Sequence, residues 1–200
     1  MSDPERVDRF ICEGIVTTQS LDGIVNIAPM GPSVPVAGGQ PDWSSLILRP
    51  FDSSRTYRNL AQVPRGVFHV TDDAATLAAA AIGPVDAELR SSERVDVPRL
   101  ADCCRWYEFE IVEAAGERPR ETLFARIVHA GRVRDFVGFH RARHAVLEGA
   151  ILATRTHLLD SDTIDAELRR LQPLVEKTAT ATERAAWDAI VEHCRGTGPR

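Results

Sequence analysis

No pair of cysteines in this chain has the C-x-x-C spacing of a zinc or redox site. The four that occur are Cys12, Cys103, Cys104 and Cys194, two of them adjacent, which indicates neither a metal ribbon nor a disulfide framework. A reducing, cytoplasmic setting is expected. Lysine is scarce too: Lys177 is the only one, the positive charge being almost all arginine, and a net charge of −5 argues against a general nucleic-acid binder, which needs a basic stripe. No apolar run approaches the length of a membrane span, so no membrane partner is expected. The N-terminal stretch "MSDPERVDRFICEG" is charged where a signal peptide would be apolar. The chain also lacks G-x-S-x-G, a P-loop, H-E-x-x-H and G-x-G-x-x-G, so the common hydrolase, nucleotide, zinc-protease and dinucleotide signatures are excluded.

What is present is an ordinary globular composition, 44% hydrophobic and 26% charged, long enough for one domain, or a domain with an appendage, around a real core. Strand signals come first. Residues 11–18 and 24–28 read as a hairpin across the Asp22-Gly23 turn. "VAGGQPD" reads as a loop and "SSLILRPF" as a short buried strand. "DSSRTYRNLA" reads as a helical turn capped by Asp52, Ser53 or Ser54. "GVFHVT" is a strand, "DDAATLAAAAI" a short helix capped by Asp72 or Asp73, and residues 84–103 an irregular connection. In "RWYEFEIVE", Tyr107, Phe109 and Ile111 share one face while Glu108 and Glu110 point the other way; "TLFARIVHA" is the next strand.

From Phe139 the period becomes helical. Ile164, Leu168, Leu171 and Val175 form one stripe with Pro173 as a kink, and Trp187, Ile190, Val191 and Cys194 form another, begun by a capping-box match at Thr180 and Glu183. Strands followed by helices predict an α+β fold with an antiparallel sheet. The expected division is residues 1–138 as the β domain and 139–200 as a helical extension packed on it.

Two segments carry polar chemistry. In "RPFDSSRTYRNL", Arg49, Ser53, Ser54, Arg55, Thr56, Arg58 and Asn59 gather guanidiniums and hydroxyls around a helix start. Such a set suits an anion, phosphate above all, and equally suits a solvated helix cap. "RARH" at residues 141–144 also opens a helix and has the same two readings. His140 and His144 are spaced for one helix face, but Arg141 and Arg143 beside them repel a cation, so no metal site is expected. A different question comes from "IVNIAPMGPS", where Pro29, Gly31 and Pro32 interrupt an apolar strand. Either the strand stops at a turn, or the backbone must admit something flat and polar.

Together, "EGIVTTQSLDGIVNIAPMGPS", "LILRPFDSSRTYRNL", "GVFHVTDD" and "RARHAVLEGAILATR" resemble the FMN-binding split-barrel superfamily of flavin reductase-like and pyridoxamine-phosphate-oxidase-like proteins. Within it the chain is similar to domain-of-unknown-function family 447. The resemblance implies a split β-barrel that holds FMN in the groove of a homodimer. It implies that Asn26, Ile27, Ala28, Pro29, Met30 and Gly31 approach the flavin ring, with Thr17 and Thr18 opposite. Arg49, Ser53, Ser54, Arg55, Thr56 and Asn59 would meet the cofactor and its phosphate, and Arg141 would join from the second subunit. An FMN-dependent oxidoreductase is the leading expectation, with donor and acceptor unassigned. The alternatives are an FMN carrier or sensor, or a split barrel that takes a pterin-like ligand of one-carbon metabolism. The catalytic residues are unassigned; Tyr57 and His69 are the proton donors considered, with packing as the alternative for each.

Overall fold

The computed structural model describes residues 9–197. The first eight residues, part of the charged stretch read above as no signal peptide, and the last three lie outside the described residues. Two compact units result. One comprises the chain up to Val70 together with Glu88–Arg134; the other comprises Thr71–Ala87 together with the chain from Asp135 onward. The second unit thus begins at Asp135 rather than 139. It also takes in residues 71–87, which the sequence pattern had grouped with the strands.

The first unit contains, in chain order, β1 (Arg9–Ile11), β2 (Gly14–Gln19), β3 (Val25–Met30), β4 (Ser33–Ala37), β5 (Gln40–Pro41), β6 (Ser45–Leu48), α1 (Arg55–Gln62), β7 (Arg65–Val70), β8 (Leu89–Arg90), β9 (Arg99–Leu100), β10 (Arg105–Ala115) and β11 (Thr122–Arg132). The main sheet is antiparallel in the order β1-β4-β6-β11-β10-β7-β2-β3, with β5 on β4, while β8 and β9 pair apart. Pairing is continuous between two bent arms: Ile11 faces Ser33, and Gly14 faces Met30. Both arms bend, one at Cys12–Glu13 and the other at Gly31–Pro32. On one side of the bend β4 joins β6, and on the other β2 joins β7. The same hairpin therefore closes both ends of the sheet into a split barrel.

This geometry revises two expectations. The strand does not end at Ala28. It runs through Pro29 to Met30, because β3 is an outer strand where a missing backbone donor is tolerated. Gly31-Pro32 is the corner at which the arm changes neighbours. "VAGGQPD" is likewise a tight hairpin rather than a loop. Gly38 and Gly39 take φ values of +59° and +78°, and Val36 pairs with Pro41.

The barrel interior is lined by Val16, Val34, Leu46, Leu48, Phe68, Tyr107 and Phe109, with Leu60 entering from α1. Trp43 closes on this core, its ring stacked 4.5 Å from that of Tyr107. The other face of β7 and β10 is also covered. Val67, Trp106 and Cys103 pack there with Val95 and Val97 of the irregular connection. That is why Glu108, on this second face, is fully buried. Its carboxylate accepts from the backbone N–H groups of Glu93 (2.8 Å), Arg94 (2.6 Å) and Val95 (3.1 Å) and from the Trp106 indole (3.1 Å). Burial alone would raise this carboxyl. The four donors more than offset it and hold it below the ordinary value.

The second unit contains α2 (Ala74–Ile82), α3 (Arg141–Ala153), α4 (Ser161–Thr178) and α5 (Ala181–Thr197). Asp73 caps α2, accepting from the N–H groups of Ala75 and Thr76. The expected α4 stripe of Ile164, Leu168, Leu171 and Val175 is buried, and the helix continues through Pro173. Trp187, Ile190 and Cys194 are buried on α5. Gly149 lets α3 come close there, since a Cβ would lie 3.0 Å from the Trp187 ring. Glu183 accepts from the backbone N–H of Thr180 at 3.0 Å and from its hydroxyl. None of the described helices is long and apolar enough to cross a membrane.

Candidate functional site

Ser54 takes up extended backbone and accepts from the N–H of Tyr57 at 3.1 Å, so it is the cap of α1. Helix geometry leaves the N–H groups of Arg55 and Thr56 without intrahelical partners. Ser53, Arg55 and Arg49 are exposed around this start, and the Arg58 guanidinium folds back onto the Ser53 carbonyl at 2.9 Å.

The inner face of α1 is fastened to the rim of the barrel. Asn26 Nδ2 donates to Thr56 Oγ1 at 3.2 Å, and Asn59 Nδ2 donates to Thr18 Oγ1 at 3.1 Å. Thr18 and Asn26 face each other across β2 and β3. The structure thus draws Thr18, Asn26, Thr56 and Asn59 into one polar cluster. Strand alternation sends Thr17 to the opposite face, where its hydroxyl donates to the Pro98 carbonyl at 2.7 Å. Ala28 and Met30 pack against the barrel core, whereas Ile27 and Pro29 are half-buried on the other side of β3. Gly31 is exposed at the corner, next to the Glu13 carboxylate. Arg141 is exposed at the first position of α3 and belongs to the other unit.

Both proton donors considered from the sequence are engaged in internal hydrogen bonds. His69 is fully buried; its Nε2 accepts from the Leu100 N–H at 3.0 Å, which requires the proton on Nδ1, 3.0 Å from the Ile15 carbonyl. Burial, with a smaller contribution from the Arg99 charge, lowers its pKa to about 4. Tyr57 donates its hydroxyl to Glu121 Oε2 at 2.8 Å, and that bond raises its pKa. Burial pushes the Cys12 and Cys103 thiols up to about 11, so both are held as thiols at neutral pH. His140 caps α3 by accepting from the Arg143 N–H, and no metal-binding group of side chains occurs among the described residues.

A family model described as "Protein of unknown function (DUF447) N-terminal domain" matches residues 12–134, and one described as "Protein of unknown function (DUF447)" matches residues 140–192. The chain belongs to the DUF447 family. No curated protein sequence matches it. Among solved structures, an FMN-bound DUF447 protein from Methanosarcina mazei is similar over 94% of this chain and 96% of its own, with a TM-score of 0.79 and 21% identity. An FMN-binding protein from Thermus thermophilus covers 66% of this chain and 76% of its own, with a TM-score of 0.51 and 15% identity. The nitrilotriacetate monooxygenase component B from Bacillus cereus covers 64% and 72%, with a TM-score of 0.52 and 18% identity. The DUF447 fold is thus the flavin reductase-like split barrel with added helices.

Sequence patterns missed the contacts that surround α1 from outside. The turn after β10 reaches the same segment through Glu121, Pro119 and Arg120. A proline flanked by arginines in a hairpin tip gives no hint of what the tip will touch.

Proposed function

We propose that this protein binds FMN with its phosphate at the start of α1 and its ring along β3, and that it acts as an FMN-dependent oxidoreductase. The observation that carries the proposal is the capped helix start. Two N–H groups without intrahelical partners, the Ser53 hydroxyl and exposed arginines surround a turn that Thr18, Asn26, Thr56 and Asn59 fasten to the barrel rim. That donor set suits a phosphate dianion. The Methanosarcina relative is FMN-bound and the Thermus protein binds FMN, which supports the choice of ligand.

Ser53, Arg55 and Arg49 would hold the phosphate, while Ser54 and Thr56 shape the turn. When bound, FMN supplies the centre that accepts and passes on electrons; the protein supplies position and polarity. A homodimer is part of the proposal, with Arg141 of a second copy reaching the cofactor, and the free cysteines favour a reducing cytoplasm. Purified protein should be yellow and release FMN on heating, identified by mass, and NADH or NADPH should bleach it. Release of FAD alone, or no affinity for FMN, would overturn the proposal. A carrier without turnover is favoured by one observation, the commitment of both His69 and Tyr57 to internal bonds. Yellow protein inert to both donors would select it.

A further inference from the structure

The tip of the β10–β11 hairpin lies beyond the last paired residues, Ala115 and Thr122, yet it is bound to the segment that starts α1. Tyr57 donates to Glu121 at 2.8 Å, the Asp52 N–H to the Pro119 carbonyl at 3.0 Å, and Arg120 Nε to the Arg49 carbonyl at 3.1 Å. The Arg120 guanidinium also lies 4.4 Å from the centre of the Phe51 ring. Phe51 is 48% exposed, so this is no hydrophobic core. These contacts fix a surface turn rather than bury one.

Such fixing has a purpose at α1. A helix of 8 residues is too short to hold its own orientation, so outside contacts must set it. The cluster of Thr18, Asn26, Thr56 and Asn59 holds its inner face. Tyr57 holds the outer one, with its N–H on the Ser54 cap and its hydroxyl on the hairpin tip. A shift of Tyr57 would therefore move the cap and the adjoining amides together, and anion recognition depends on their convergence.

We infer that Tyr57 and Glu121 form a positioning pair that sets the phosphate-binding geometry of residues 53–56, making the β10–β11 tip part of the cofactor site. The inference rests on the proposed placement of the FMN phosphate. Riboflavin, which carries the same ring without the phosphate, separates the two. Affinities for FMN and riboflavin are measured by flavin fluorescence for the parent and for Tyr57→Phe, Glu121→Ala and Glu121→Gln.

The parent should prefer FMN. Tyr57→Phe and Glu121→Ala should reduce that preference about three- to tenfold, the worth of one hydrogen bond, with riboflavin affinity unchanged. Glu121→Gln, which can still accept the hydroxyl, should retain it. Unaltered preference in Tyr57→Phe, or equal weakening of both flavins, would overturn the positioning role while leaving the phosphate placement intact. A parent that binds both flavins equally would overturn the phosphate placement itself, and the positioning role with it.

Discussion

The two units hold their most deeply buried titratable groups with different partners. In the barrel unit, backbone does the work: the Glu108 carboxylate takes three main-chain N–H groups, and His69 is held between a main-chain carbonyl and a main-chain N–H. In the helical unit, two buried carboxylates share a guanidinium, besides the main-chain N–H groups that Thr180 gives Glu183 and Val137 gives Asp72. Arg143 contacts Glu183 at 3.0 Å and Asp72 at 3.6 Å, joining α3 to α5 and to the segment before α2. Helices use up their own backbone groups and have few to offer, so tertiary polar contacts fall to side chains. A barrel crossed by an irregular connection has spare backbone donors, and Glu108 collects them.

The largest test removes the aromatic centre of each unit. Phe109→Ala in the barrel and Trp187→Ala between the helices should each cost about 3–5 kcal/mol, because both rings are almost fully enclosed. Trp43 and Trp106 report on the barrel unit by fluorescence, and far-UV circular dichroism, dominated by the helices, follows the helical unit in the Trp187→Ala variant, which lacks that unit's tryptophan. A loss below about 1 kcal/mol at either position would mean that the ring is not central to that core.

Acid separates the two arrangements next. The folded-state pKa of His69, about 4, lies below its ordinary 6.5, so folding favours the neutral ring. Its contribution is complete above 6.5 and is lost as the pH falls towards 4, amounting to about 3 kcal/mol for this fully buried group. Glu183 differs in window. Burial would raise its pKa, but bonds from Thr180 and Arg143 outweigh that and bring it from 4.5 to about 2. Its contribution is complete above 4.5 and is lost only as the pH falls towards 2. Denaturant titrations between pH 7 and 4 should therefore weaken the barrel unit first. His69→Gln should flatten that dependence while lowering stability at neutral pH. An equal slope in both units across this range would refute the distinction.

A smaller effect probes the carboxylates themselves. Glu108→Gln keeps the shape but turns an amide NH2 towards main-chain donors, and should cost about 2–3 kcal/mol, the worth of a charge-assisted hydrogen bond. Glu183→Gln should cost less, because its partner Arg143 is a third exposed and can turn to water. Chemical denaturation of the two variants decides the order; the reverse would mean that the side-chain network is the more tightly held.

Element types were legible wherever one period ran long enough. The stripe of α4, the cap motif before α5 and the alternation of β10 all carry their patterns in residue spacing. β4 was not legible, because "SVPVA" contains a proline and pairs with β6 at one residue only. Nor was the grouping of α2 with the C-terminal helices, since its run of alanines shows no strong face. At the candidate site, Ser54 and the Thr56/Asn59 spacing could be read directly, as capping and helical period are local. The sequestration of His69 could not, because its partners Ile15 and Leu100 lie far from it in sequence.

The smallest expected effect bears on "APMG", and it contrasts two glycines at the bend of one hairpin. A Cβ on Gly14 would lie 2.3 Å from the His69 carbonyl oxygen and 2.9 Å from the Phe68 ring, both fixed parts of the barrel. Gly14→Ala should therefore be strongly destabilising, and it serves as the control. The three atoms nearest a Cβ on Gly31 all belong to the Glu13 carboxylate, from 2.6 Å, so the contact is with the end of an exposed side chain and not with backbone or ring. Gly31 also lacks a positive φ, so an L side chain brings no backbone strain. Gly31→Ala should alter stability by less than about 1 kcal/mol without ligand. If the flavin ring lies along β3, however, the added methyl occupies its approach, and FMN affinity should fall although the protein is as stable as before. Thermal unfolding without FMN, set beside FMN titration, reads the two quantities separately. Unchanged stability with unchanged affinity would leave Gly31 as a corner of the barrel alone and move the ring away from this end of β3.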